Sequence, residues 1–259
     1  MKRLLIISLL PLTLALTGCR SDLLMEKTGR STRIVRNEML ETVETYLIEA
    51  AQKMRRKQSA FHEIQRISDT VIAMRVFWGE VPQEEDYWKD IREITDGITE
   101  EMLKGQEPMT CAMLYEFLLL PVSSDAVYEK IRRGAGDEED TSLVVKADEA
   151  FQRNYMLRER RAYTYFLMDK PAAAAKQMEI LERSLAGLKN PPARLPFLYI
   201  QWAFYLHEKG DDRKARQKLD DARLALTLKS EEWPLYYPYT EKDLELVRNC
   251  ISVLSARIR

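Results

Sequence analysis

Residues 199–222 read YIQWAFYLHEKGDDRKARQKLDDA, and this stretch decides the fold. Tyr199, Trp202, Ala203 and Leu206 recur at three- and four-residue spacing, as apolar side chains do along one face of a helix. Gly210-Asp211 interrupts the chain, and Ala215, Leu219 and Ala222 then open a second stripe at the same spacing. The small Ala203, Ala215 and Ala222 let two antiparallel helices approach closely, while Trp202, Leu206 and Leu219 fill the space beside them. The stretch therefore predicts a helix, a tight turn and a returning helix.

The same offsets occur upstream. Ala162, Tyr165, Asp169, Ala174, Met178 and Leu181 occupy them, with Pro171 placed to begin the second helix. Ala174 and Ala215 are 41 residues apart, and the pattern resembles the tetratricopeptide repeat, whose usual period is about 34. The extra length falls around Asn190-Pro191-Pro192. A last amphipathic stretch, about Glu241 to Arg257, is similar to the capping helix that covers the final apolar face of such arrays. The resemblance covers about residues 150–258. It implies an all-α fold of antiparallel helix pairs, with a tetratricopeptide-like superhelix in the C-terminal half. It also implies a peptide or partner helix on the concave side. Matching the inner positions of the repeat gives Glu159, Tyr163, Phe166, Ile200, Phe204 and His207 as a candidate protein-binding groove. The alternative is that these side chains pack against the N-terminal helices, which then fill the groove.

Working towards the N-terminus, residues 31–78 contain neither proline nor glycine and carry apolar residues at helical spacing. Two helices are expected there, with a bend near Lys57–Ala60; one long helix is the alternative. Gly79 to Pro82 reads as a turn, residues 84–103 as an amphipathic helix, and Met109–Leu120 as a strongly apolar, buried one. Gly134-Ala135-Gly136 followed by Asp137–Asp140 is the clearest loop in the chain. It separates an N-terminal helical region, 31–133, from the tetratricopeptide-like region, 141–259.

The first residues carry a different signal. Met1-Lys2-Arg3 precedes an apolar run from Leu4 to Leu16, too short for a membrane span of about 20 residues and interrupted by Pro11. Leu16-Thr17-Gly18-Cys19 resembles the lipobox of bacterial prolipoproteins: a large aliphatic residue, two small ones and the acceptor cysteine. That resemblance implies a signal peptide over 1–18, cleavage before Cys19, lipid on the Cys19 thiol and a tether over 19–30. Arg20 stands where an aspartate would retain an enteric lipoprotein in the inner membrane. Its presence implies the outer membrane, with the body facing the periplasm.

Composition narrows the remaining classes. Nine glycines and ten prolines among 259 residues are too few turns for a sandwich or barrel. Removing Lys2 and Arg3 with the signal leaves 38 basic against 41 acidic side chains, which gives no basic field for nucleic acid. Cys111 and Cys250 could pair in an oxidising compartment or stay as buried thiols. The two histidines, His62 and His207, belong to no metal-binding pattern. No nucleophile elbow, P-loop or dinucleotide fingerprint occurs, so neither an enzyme nor a cofactor is expected.

Glu84-Glu85-Asp86 suits a helix start, Asp137–Asp140 a solvated loop rather than a cation site, and Lys53–Lys57 the exposed face of a charged helix rather than a contact for anionic lipid head groups. Trp233, Tyr236, Tyr237 and Tyr239, spaced by Pro234 and Pro238, could line a recognition surface or plug the end of the array. The reading is a lipid-anchored envelope adaptor whose partner is an envelope protein or peptide. A helical lipoprotein that binds a small ligand or serves a transporter is the alternative, and it requires an enclosed cavity.

Overall fold

The computed structural model of the chain describes residues 32–79, 91, 93–118, 120–135, 148–186 and 188–258. The signal segment, Cys19 and the tether lie outside the described residues, as do the acidic stretches at 84–86 and 137–140. The chain is all-α. Its bounded helices are α1 (Thr32–Arg55), α2 (Phe61–Trp78), α3 (Glu100–Leu103), α4 (Pro108–Phe117), α5 (Pro121–Ala135), α6 (Glu149–Leu167), α7 (Pro171–Leu185), α8 (Leu195–Glu208), α9 (Asp212–Ala225) and α10 (Glu241–Arg257). The one described β-bridge is an isolated parallel pair, Pro192 with Glu231.

The quoted stretch forms α8, a turn and α9, and the upstream unit forms α6, a turn and α7. Their turns are superimposable in hydrogen bonding, 41 residues apart. Asp169 N–H donates to the Phe166 carbonyl and Lys170 N–H to that of Tyr165; Gly210 N–H donates to His207 and Asp211 N–H to Leu206. Asp169 (φ 58) and Gly210 (φ 87) hold the same left-handed backbone at that point. Aspartate is one of the few non-glycine residues that tolerates it. The small residues lie where close helix approach needs them: Ala162, Ala174, Ala203, Ala215 and Ala222 are buried, and Trp202, Leu206 and Leu219 pack beside them. α7 also packs on α8, so the two pairs are neighbours.

Within the N-terminal region α1 and α2 form a hairpin whose bend falls at 56–60, with Lys57 in the left-handed region. α4 is shorter than expected but buried as expected, with Met109, Ala112, Met113, Leu114 and Phe117 in the core. Two expectations need correction. The stretch 84–103 is not one helix: Gly97 turns the chain, and Thr99 caps a separate four-residue helix by accepting from the Met102 N–H. The loop at 134–136 begins later, because α5 continues through Gly134 and Ala135.

α2 is the hub of the fold. It packs against α1, α4, α8 and α10, so the N-terminal hairpin lies against the inner side of the repeat pairs. α10 starts with a reciprocal cap, Thr240 and Asp243 each bonding the other's backbone N–H, and packs against α2, α8 and α9. Cys111 is half-buried on α4 and Cys250 is buried on α10. Both are free thiols, so the pairing considered above is not formed. Burial raises the pKa of each above the ordinary thiol value.

Candidate functional site

The inner face of the repeat does not form an open groove. Glu159, Tyr163, Ile200 and Phe204 are each at most 2 % exposed. Phe166 is half-buried and stacks on Tyr205, ring centres 4.8 Å apart. His207 is also half-buried, and its Nδ1 lies 2.7 Å from Asp212 Oδ1. The first four are therefore corrected from groove to interior. The physical reason is α2, which brings Gln65, Ser68 and Asp69 against that face.

What fills the face is a buried network of charges. Asp69 accepts from both arginines, Arg160 Nη2 at 2.8 Å and Arg194 Nη2 at 2.7 Å, and a further bond runs from Arg194 Nη1 to its second oxygen. Arg194 also donates to Glu159, Nε at 2.9 Å and Nη2 at 2.6 Å. Gln201 Nε2 and the Tyr236 hydroxyl complete the shell of Glu159, and the Tyr237 hydroxyl completes that of Asp69. The Arg194 guanidinium lies over the rings of Phe197 and Tyr236, at 5.1 and 5.2 Å. Such a fork needs planar, bidentate donors, which is why arginine rather than lysine stands here. Burial opposes ionisation of Asp69 and Glu159, yet the facing arginines hold both carboxyls below their ordinary pKa.

A third carboxylate behaves differently. Glu116 on α4 is fully buried and accepts from the Tyr128 hydroxyl at 2.6 Å, Thr164 Oγ1 at 3.2 Å and Ser68 Oγ at 3.4 Å. Here desolvation outweighs the more distant Arg160, and the pKa is pushed up to about 7. Ser68 joins the two halves, accepting from Arg160 at 2.6 Å while facing Glu116. The network thus ties together α2, α4, α5, α6, α8 with its N-cap Arg194, and the segment before α10. Its chemistry is that of a keystone.

The aromatic strap at 233–239 closes the end of the helix pairs. Trp233 meets Phe151 and Tyr155 edge-on at 5.9 and 5.2 Å, and the tyrosine hydroxyls point inward to the carboxylates. A pocket of about 300 Å³ remains outside it, between His62, Pro192, Pro234 and Tyr239. Arg194, Tyr236 and Tyr237, which line it, are bonded to the buried carboxylates, and His62 and Glu232 line it as well.

A larger concave surface lies elsewhere. α1 and α10 both pack on α2 and leave between them a trough of about 550 Å³. Glu38, Glu41, Thr45 and Glu49 line the α1 wall, Lys242, Glu245 and Asn249 the α10 wall, and Arg66 and Thr70 the floor. Their spacings, four or three residues apart on each wall, are those of one helix face. Arg66 is held in place by the Tyr46 hydroxyl at 2.6 Å, the Tyr237 ring at 4.5 Å and Asp243 at 3.8 Å. Nothing in the one-dimensional pattern marked this trough, because its walls are 200 residues apart in the chain.

Compared with known protein families, curated proteins and solved structures, the chain matches none. No helix of the described residues is long and apolar enough to cross a membrane.

Proposed function

We propose that the protein is a lipid-anchored adaptor of the bacterial envelope that holds a partner protein in the trough between α1 and α10. The observation that carries this reading is the trough itself: a concavity of about 550 Å³ with two helical walls, on a body whose candidate groove is filled. The lipobox-like Leu16–Cys19 supports attachment through lipid on Cys19, and Arg20 supports the outer membrane. The tetratricopeptide-like pairs then serve as a rigid frame, with α2 and the buried charges fixing the angle between hairpin and frame.

The test is a photocrosslinking scan in intact cells, with a photoreactive residue placed singly at exposed positions on every face of the described body. Protein adducts clustered at Thr45, Glu49 and Glu245 support the reading. An adaptor that forms no protein adduct on any face is not an adaptor, and that outcome overturns it.

A further inference from the structure

The trough's chemistry restricts what can occupy it. Its walls are α-helices, whose backbone N–H and C=O groups are already bonded along each helix, so an extended peptide finds no edge to pair with. A segment entering the trough must satisfy its own backbone, and a helix does so. The side-chain stripes on α1 and α10 are those that receive a third helix packed alongside. Between the walls the floor mixes buried and half-buried apolar groups, Met39, Tyr46 and Leu246, with short hydroxyls.

The charge is one-sided. Five carboxylates line the trough against two cations, Arg66 and Lys242. Arg66 is engaged by Tyr46 and Tyr237, and Asp243 is engaged by the cap of α10. Glu41 and Glu49 are exposed, and no hydrogen bond or ion pair reaches either within the described residues. They stand eight residues apart on one face of α1, about 12 Å along the helix.

Resting on the adaptor reading, we infer that the trough takes an amphipathic helix of a partner protein that carries Lys or Arg two turns apart on its buried face. Those cations meet Glu41 and Glu49, and small or medium apolar residues between them cover Met39, Tyr46 and Leu246. The same charges disfavour an acidic helix of equal apolar content, which gives selectivity as well as attachment.

Two synthetic 18-residue helices test this, identical in their leucines and alanines, one with lysines and one with glutamates at the two-turn positions. Binding to the mature full-length chain in a nonionic detergent is followed by fluorescence anisotropy. The expected result is binding of the lysine helix alone. The double change Glu41→Lys/Glu49→Lys weakens that binding by about tenfold or more and admits the glutamate helix. Its thermal melt stays that of the wild type, since both side chains are exposed. Equal binding of the two helices, no binding of either, or indifference to the charge reversal overturns the inference. Failure here beside crosslinks clustered on another face removes only the proposed occupant; failure here with no adduct anywhere removes the adaptor as well.

Discussion

At the scale of single residues the molecule's chemistry is concentrated in three buried carboxylates, and their opposite behaviour predicts a stability profile. Glu116 has a folded pKa of about 7 against an ordinary 4.5, so the folded state favours its neutral form. Its contribution is fully present below pH 4.5 and is lost as pH rises through 7, a change worth about 3 kcal/mol. Asp69 and Glu159 are shifted down by Arg194 and Arg160. Their contribution is present above the ordinary carboxylate range and is lost as pH falls through their folded values. The melting temperature should therefore peak near pH 5 and decline towards pH 8. Circular-dichroism melts across that range check it. Glu116→Gln keeps an acceptor for Tyr128 and Thr164 and should raise the melting temperature at pH 8 by about 6–12 °C, flattening the alkaline limb. Parallel limbs for the two proteins would show that Glu116 does not titrate in this window.

At the scale of elements, the helix pairs were legible in the sequence because their defining contacts are local. Ala203, Ala215 and Ala222 fall within twenty residues of one another, and the spacing alone places them on facing stripes. Ala215 is completely buried between α8 and α9. Ala215→Trp should overpack that contact and cost about 1–3 kcal/mol. Lys214→Ala, one residue away and half exposed, should leave the melt nearly unchanged. Urea unfolding of both variants decides it, and equal midpoints would refute the pairing of these stripes. The inner face was legible in register but not in destiny. Glu159 and Ile200 do occupy matching offsets, yet what covers them comes from α2, some 90 to 130 residues earlier in the chain. One signal was available. A glutamate at an inner position beside aromatic and aliphatic neighbours requires a buried cation, and Arg160 and Arg194 were at hand. Their geometry was not readable, because Arg194 reaches the network from the segment after Asn190-Pro191-Pro192 that links the two helix pairs. The aromatic strap was equally ambiguous in one dimension. Its bond from the Tyr237 N–H to Gln65 spans 172 residues.

At the scale of the whole molecule, the proposed lipid attachment at Cys19 can be tested apart from the folding of the body. The described body begins at Thr32, and its core is continuous from α1 to α10. The body buries its apolar surface among its own helices, while a diacylated cysteine would supply the anchoring: each buried methylene contributes about 0.8 kcal/mol, and two chains suffice for stable attachment. Cys19→Ser removes the only thiol in that segment and with it the acceptor for lipid. The variant should melt as the wild-type body does, lose incorporation of a palmitate analogue, and either appear in the soluble fraction or remain as the uncleaved precursor. The wild type should label and sediment with membranes. If both label equally, lipid is carried elsewhere or labelling is nonspecific, and the lipoprotein reading fails. If neither labels but both sediment, attachment runs through a protein contact, and the crosslinking scan should then find its adducts under conditions where lipid plays no part. The trough faces whichever surface the tether allows. With lipid on Cys19, the twelve residues between it and Thr32 would reach at most about 40–43 Å when extended, so the proposed partner helix would have to be presented within that distance of the membrane.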